Sequence, residues 1–429
     1  MAPNTSEDGN TRLRPGSVVA AVSGNALEWY DFCVYGFLAP VIATLFFPSD
    51  NEVTALLSAF AVFAVGYAAR PVGSIIFGHI GDRVGRKPAL LLSIAIMCVS
   101  SVALGLLPTY EQIGIAAPVL LTLIRIAQGI AVAGEYGASG ILIIEHARKE
   151  RRALMGSWVV FAMMGGSMLG SLVPAVMSDL LTTEQIAAWG WRVPFFLGAV
   201  VAVAGLVLRR TLADNAGLPF AQDDLPLTPP IVEILREERG TLLRIVLLLM
   251  PIGILYFLIF TYAASYLAEQ SHFTSAQALN ITTLNLGLMT LAIPIFGALG
   301  DRFGLRTAYL TIALATFITA VPAWWLMHRP DLGVVFLGQM VLALVNGAAS
   351  ALTVAALAGM CQPHLRCTTI ALGYNVAMAI FGGTTPLIAT YIANRTGGDF
   401  APIYYLIFAT LLSLPVLWRL PVRQTPSEA

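Results

Sequence analysis

The chain has 429 residues, of which 57% are hydrophobic and only 11% charged. Soluble domains carry about a quarter charged residues, so this composition excludes an ordinary water-soluble protein and points to one built for a membrane. The 24 basic and 24 acidic side chains cancel, which leaves no basic footprint for nucleic acid.

Residues 1–16 are polar, with Pro3, Gly9 and Pro15, and lack the apolar core of a signal peptide. They read as a cytoplasmic tail. A membrane helix needs roughly 20 apolar residues. Polar punctuation divides the rest into about twelve such runs, at 17–47, 53–81, 87–107, 114–145, 152–181, 189–209, 242–269, 275–299, 306–328, 332–358, 367–393 and 400–420. The long polar stretch lies between Arg210 and Arg244 and holds Asp214, Asp223, Asp224, Pro226, Pro229, Pro230 and a charged amphipathic piece, Glu233 to Arg239. Residues 211–241 therefore read as a cytoplasmic linker between six-helix bundles at 17–210 and 242–420, with 421–429 a second tail. The predicted fold class is an all-α membrane protein of twelve transmembrane helices in two pseudo-symmetric bundles.

Four cysteines, Cys33, Cys98, Cys361 and Cys367, sit in apolar stretches without CxxC or Cys/His spacing, so they read as small buried hydrophobes. Placing the N-terminus inside gathers Arg83, Arg86, Lys87, Arg148, Lys149, Arg151, Arg152, Arg302, Arg306 and most other basic residues on that side. The opposite side holds only Arg192, Arg329 and Arg395. By the positive-inside rule both termini are expected in the cytoplasm. Trp189, Trp191, Trp324 and Trp325 fall near predicted outer helix ends and read as interface aromatics.

The two halves repeat a loop motif. Gly78-x-x-x-Asp82-Arg83-x-Gly85-Arg86-Lys87 follows the second run, and Gly297-x-x-x-Asp301-Arg302-x-Gly304-x-Arg306 follows the eighth, 219 residues later. Repeats of this size build many secondary transporters, with substrate held between the halves. The pair resembles the signature of the major facilitator superfamily, as does Arg125-x-x-Gln128-Gly129. Gly24-Asn25-x-x-Glu28-Trp29-Tyr30-Asp31-Phe32-x-x-Tyr35-Gly36 is similar to the metabolite:proton symporter family, which includes carriers of citrate, 2-oxoglutarate, shikimate and proline/betaine. Arg70-Pro71, Gly190-Trp191-Arg192-x-Pro194-Phe195 and Phe381-Gly382-Gly383-x-x-Pro386 are similar to the same family. An acidic residue common in that family's loop before Arg366 is Gly359 here, whereas Glu145 and Arg152 keep the spacing in the first half. A cytoplasmic ion-pair gate is thus expected in the first half only. Residues Gly165 to Pro174 lack the Gly-Pro pattern of antiporters, which favours symport.

Ionisable side chains at membrane depth are costly and mark a pathway, a relay or a pair. Glu28, Asp31, Arg70, Arg125 and Glu135 lie there, all in the first half. At about 1.5 Å rise per residue, Glu28, Arg70 and Glu135 share one level near the middle of a ~30 Å core, with Asp31 and Arg125 further out. Two clusters are expected: Arg70 with Glu28 and Glu135, and Arg125 with Asp31. Glu28, Asp31 and Glu135 are the candidates to carry a coupled proton; the alternative is a fixed salt-bridge network. The resemblance implies coupling between a first-helix acid, Asp31 or Glu28, and Arg125. Arg70 or Arg125 suits a substrate carboxylate. Tyr30, Tyr35, Asn346, Tyr374 and Asn375 are candidate path residues, against packing and interhelical hydrogen bonding as alternatives. His79 and His146 read as loop residues. Asp82, Arg83, Arg86, Glu145, Arg152, Asp301, Arg302 and Arg306 form the candidate cytoplasmic gate, because such charges bond helix ends.

No HExxH, GxSxG or metal-ligand cluster is present, so neither an enzyme nor a cofactor is expected. The main expectation is proton-coupled symport of a small organic acid across a bacterial inner membrane by a monomer working by alternating access. Uptake of a zwitterion such as proline or betaine, or uncoupled export or facilitation, is the alternative. The expected partners are a small-molecule substrate, protons and lipid.

Overall fold

The computed structural model describes residues 15–83, 86–132, 140–141, 143–144, 146–203, 234, 236–269, 273–362 and 365–420. Its helices, in chain order, are α1 (Pro15–Phe37), α2 (Ala39–Phe46), α3 (Glu52–Ala68), α4 (Arg70–Arg83), α5 (Arg86–Leu106), α6 (Tyr110–Ile113), α7 (Ala116–Val132), α8 (Arg152–Leu180), α9 (Thr183–Ala188) and α10 (Gly190–Val203). After residue 238 come α11 (Arg239–Tyr256), α12 (Ala263–Glu269), α13 (Ser275–Phe303), α14 (Leu305–Met327), α15 (Leu332–Ala351), α16 (Thr353–Met360), α17 (Arg366–Ala377), α18 (Thr385–Thr396) and α19 (Ala401–Trp418). Among the described residues, eight helices are long and apolar enough to cross a membrane, and the bent pair α1–α2 makes a ninth if counted as one. The protein is all-α and multi-pass.

The sequence explains the boundaries. Asn51, Thr182, Thr274 and Asp331 each accept a hydrogen bond from a first-turn amide and so start α3, α9, α13 and α15. Thr182 and Thr274 do so in capping boxes with Gln185 and Gln277. At the basic end Gly304, at φ 83°, turns α13 directly into α14.

Several runs are not single straight helices. The 17–47 run breaks at Leu38, where Pro40 opens α2, and the two pieces bend by 63°. Two π-helical segments, Phe257–Tyr262 between α11 and α12 and Met378–Gly382 between α17 and α18, interrupt runs that read as continuous. α11 begins at Arg239, inside the stretch assigned to the linker. His79, read as a loop residue, falls within α4. Of the four expected interface tryptophans, Trp189 and Trp325 are exposed, but Trp191 and Trp324 are fully buried. Trp191 packs edge-on against Phe46 and Phe195. Arg192, an exception on the arginine-poor side, donates to the carbonyls of Gly105 and Leu107 and closes the end of α5.

One buried apolar cluster runs through both halves of the chain. Outward faces carry exposed apolar residues such as Leu106, Ile115, Leu180, Leu291, Ile318 and Phe408, as a lipid-facing surface requires. Small residues let helices meet backbone to backbone. A Cβ on Gly129 of α7 would overlap the Gly66 carbonyl of α3, so this crossing exists only with glycine. Gly129→Val is therefore expected to force α3 and α7 apart, at ~1–3 kcal/mol or more. The readout is folded yield on size-exclusion chromatography and thermal unfolding in detergent; an unchanged unfolding temperature would contradict the close crossing.

Candidate functional site

Glu28, Asp31, Phe32 and Tyr35 follow helical spacing on α1, so one face presents two acids and two rings. Arg70 stands at the first position of α4, beside the joint with α3, and reaches Glu28 at 3.5 Å. Its guanidinium carbon lies 4.1 Å from the Phe32 ring centre and 4.0 Å from that of Tyr67. Arg125 of α7 lies 4.4 Å from the Phe32 ring centre and 4.5 Å from that of Tyr35. Phe32 thus touches both guanidiniums, which are 1% and 0% exposed. Cation–π contacts are worth about 2 kcal/mol when desolvated, so these rings offset part of the burial of two cations.

Arg125 does not bond Asp31 directly. It donates from Nη1 to Gln128 Oε1 at 2.7 Å; Gln128 Nε2 donates to Ser101 Oγ at 3.3 Å; Ser101 donates to Asp31 Oδ2 at 2.5 Å. The expected Arg125–Asp31 pair is therefore corrected to a four-residue chain across α7, α5 and α1. Arg125 Nε and Nη2, Arg70 Nε and Asp31 Oδ1 have no hydrogen-bond partner among the described residues. Buried orphan N–H groups on a guanidinium are costly and suit an arriving acceptor.

The second half of the chain closes over this cluster with aromatic rings. Trp29 meets Tyr256 at 5.3 Å and Phe257 at 6.4 Å, and Phe257 meets Phe63 at 5.8 Å and Tyr67 at 5.4 Å. Cys33 lies 3.3 Å from the Ser167 hydroxyl and 3.4 Å from that of Tyr256. The π-helical segment beginning at Phe257 places these contacts where the two halves meet. Such segments recur at functional sites because one extra residue per turn re-aims side chains.

The other candidates divide. Tyr35 contributes its ring to Arg125 while its hydroxyl donates to the Ala59 carbonyl. Tyr30 donates to the Pro194 carbonyl, and Asn346 donates to the Ile252 carbonyl beside a cavity of about 30 Å³ lined only by second-half residues. Asn346 thus makes the interhelical bond weighed as its alternative, and Tyr30 is buried with its hydroxyl spent on a backbone carbonyl, so neither joins the arginines. Tyr374 is buried on α17, and Asn375 of α17 donates to Ser74 of α4 at 2.8 Å, joining the halves. Glu135 and Glu145 lie outside the described residues, as do the side chains of Asp82, Arg83 and Arg86.

At the basic end, Asp301 accepts from the amides of Ala153 and Leu154, both at 2.9 Å. Helix α8 has no side-chain cap of its own, so an acid from the other half supplies it. Gly297, one turn earlier, lies so near Ser157 that a Cβ would come within 2.6 Å of its hydroxyl. Arg152 is exposed, while Arg302 and Arg306 stack on Phe303 at 5.5 Å and Trp418 at 4.5 Å.

Comparison with known proteins shows the family of the chain and its fold. Residues 16–214 match the model of the sugar (and other) transporter family, and residues 245–429 that of the major facilitator superfamily. The glycine betaine/proline/ectoine/pipecolic acid transporter OusA of Dickeya dadantii is 34% identical over 415 residues, 94% of this chain and 82% of that protein. The proline/betaine transporter of Escherichia coli K12 is 32% identical over 418 residues, 95% and 83% of the two chains. The chain belongs to the major facilitator superfamily. Within it the chain falls in the metabolite:proton symporter family, on its proline/betaine side. The xylose transporter XylE from E. coli, in a partially occluded inward open conformation, has the same fold: TM-score 0.72 at 18% identity, covering 95% of this chain and 98% of that one.

As a member of this family the protein is a multi-pass transporter of the bacterial inner membrane, and not an enzyme. Phe32, Phe63, Tyr67, Ser101, Gln128, Tyr256 and Phe257 escaped the sequence reading of the site. Phe32 and Gln128 were reachable from spacing: one follows Glu28 by four residues and the other follows Arg125 by three. Nothing in composition marks the π-helical segment that brings in Tyr256 and Phe257.

Proposed function

We propose that this carrier takes up a zwitterionic osmolyte of the proline/betaine type together with protons. This replaces the organic acid of the main expectation, because the relatives' names fall on the osmolyte side. The observation that carries the reading is the position of Tyr67. Its ring lies 4.0 Å from the Arg70 guanidinium and 5.4 Å from Phe257, so carboxylate-binding and cation-binding surfaces adjoin across one side chain. A glycine-type betaine carries its carboxylate and its quaternary ammonium on one methylene, so it needs the two surfaces to adjoin. Arg125 and Arg70 receive the carboxylate; Trp29, Tyr67 and Phe257 receive the ammonium.

The same reading takes the architecture as twelve helices in two six-helix bundles, 17–210 and 242–420, joined by 211–241, with both termini cytoplasmic. The nine long or bent crossings and the shorter apolar helices Leu91–Leu106, Ala116–Val132 and Gly190–Val203 make twelve, six on either side of the linker. Asp31 is taken as the proton carrier, since Oδ1 has no hydrogen-bond partner among the described residues while Glu28 is held by Arg70. The basic end is the cytoplasmic gate, latched by Asp301.

Three measurements test this. Proteoliposomes with an imposed proton gradient should accumulate glycine betaine, and an ionophore should abolish the accumulation; ionophore-insensitive uptake would remove proton coupling. Tyr67→Leu should raise KM for glycine betaine roughly tenfold, from loss of ~1–2 kcal/mol of cation–π contact. Asp301→Ala removes two charge-assisted caps worth ~1–2 kcal/mol and should open the basic end. A cysteine placed at Ser157 should then alkylate faster in Asp301→Ala than with Asp301 present, and equal rates would contradict the latch.

A further inference from the structure

The chain between Arg125 and Asp31 has one direction. Each link donates toward the acid: guanidinium to Gln128 carbonyl, Gln128 amide to Ser101 hydroxyl, Ser101 hydroxyl to Asp31 Oδ2. Ser101 and Gln128 are both 0% exposed, so no bulk water competes for these bonds. The geometry is fixed by the covalent frame of Gln128. Its carbonyl faces Arg125, which has only donors, so its amide must face away. The amide occupies a Ser101 lone pair and leaves the hydroxyl proton to point at Asp31.

The other carboxylate oxygen stands apart. Asp31 Oδ1 has no hydrogen-bond partner among the described residues and lies against Gly198 of α10, where any Cβ would collide with it. The titratable groups facing Asp31 among the described residues are Tyr30 on α1, Cys98 on α5 and Arg125 on α7. Gly198 contributes only space.

We infer that Ser101 and Gln128 are positioning residues that transmit the state of Arg125 to Asp31, with Oδ1 as the atom that takes the proton; this rests on the reading of Asp31 as proton carrier. Protonation forms an O–H bond at Oδ1 with a proton drawn from water, and the proton returns to water when that bond breaks. Oδ2 remains bound to Ser101 throughout. When a substrate carboxylate engages Arg125, the guanidinium donates less to Gln128, and the weakened polarisation reaches Asp31 through two neutral side chains. Arginine and acid are thereby coupled without an ion pair, which would hold both charges too firmly to exchange a proton.

Infrared difference spectroscopy of the purified protein across a pH titration, with isotope-labelled aspartate, reads this independently of any substrate. A protonated-carboxyl band absent in Asp31→Asn identifies the group. The band is expected to shift in Ser101→Ala and also in Gln128→Leu, although Gln128 does not touch Asp31, and to stay in place in Ser101→Thr. A band unmoved by Gln128→Leu would overturn the relay while leaving Asp31 as proton carrier. If Asp31→Asn removes no band, Asp31 takes no proton, and the relay falls with that reading. In proteoliposomes, Ser101→Ala and Gln128→Leu should each lower gradient-driven accumulation of glycine betaine roughly tenfold, and the double variant no further. Additive losses would separate the two residues and contradict a single chain. Should Ser101→Ala not fold, Gln128→Leu alone decides.

Discussion

Replacing Arg125 by alanine is expected to reduce glycine betaine uptake on the order of 100-fold or more. Truncating one partner of a buried, hydrogen-bonded charge interaction costs 2–5 kcal/mol, which converts to roughly 30-fold to several thousandfold. Arg125 is fully buried, offers Nε and Nη2 without acceptors among the described residues, and sits where Gly66 leaves room beside its guanidinium. Lysine should not restore uptake, because a point charge reproduces neither the planar fork nor the stacking on Phe32 and Tyr35. Uptake kinetics on protein of normal folded yield make the check. Near wild-type uptake in Arg125→Ala would remove this residue from the substrate site.

The second large effect is on stability. Glu28 and Arg70 are 8% and 1% exposed and 3.5 Å apart. Removing Glu28 leaves the Arg70 charge without its ion pair in a low-dielectric interior, at roughly 3–5 kcal/mol. Arg70→Met and Glu28→Leu alone should each lower the unfolding temperature by several degrees, while the double replacement recovers most of the loss. A well-packed apolar pair often serves as well as a buried ion pair. The loss in Arg70→Met is softened if Phe32 and Tyr67 accept the thioether in place of the guanidinium. Additive losses, with no recovery in the double variant, would mean that Glu28 and Arg70 are held by other partners.

Depth in the membrane was legible in the sequence; rotation about the helix axis was not. A constant rise per residue set Glu28 and Arg70 at one level, and they pair. The same arithmetic set Asp31 near Arg125 but carried no information on which way α1 and α7 turn, so Ser101 and Gln128 were missed between them. Apolar run length gave an all-α, multi-pass chain, since lipid demands about 20 apolar residues whatever the packing. It did not give the π-helical segments at 257–262 and 378–382, whose composition matches the helices around them. Trp191 and Trp324 were misplaced for a related reason. A tryptophan near a helix end faces lipid or the interior according to neighbours that are distant in sequence, here Phe46 and Phe195 for Trp191. The Asp301 loop was recognisable as a repeat, yet its partner, the uncapped start of α8, became visible only with the halves together.

The most direct measurement is the binding isotherm of the purified protein for glycine betaine, proline and citrate. A site in which Tyr67 joins a guanidinium to an aromatic surface predicts saturable binding of glycine betaine and proline, competition between them, and none by citrate. Saturable binding of citrate that glycine betaine does not displace would contradict the osmolyte reading and return the carrier to the organic acids.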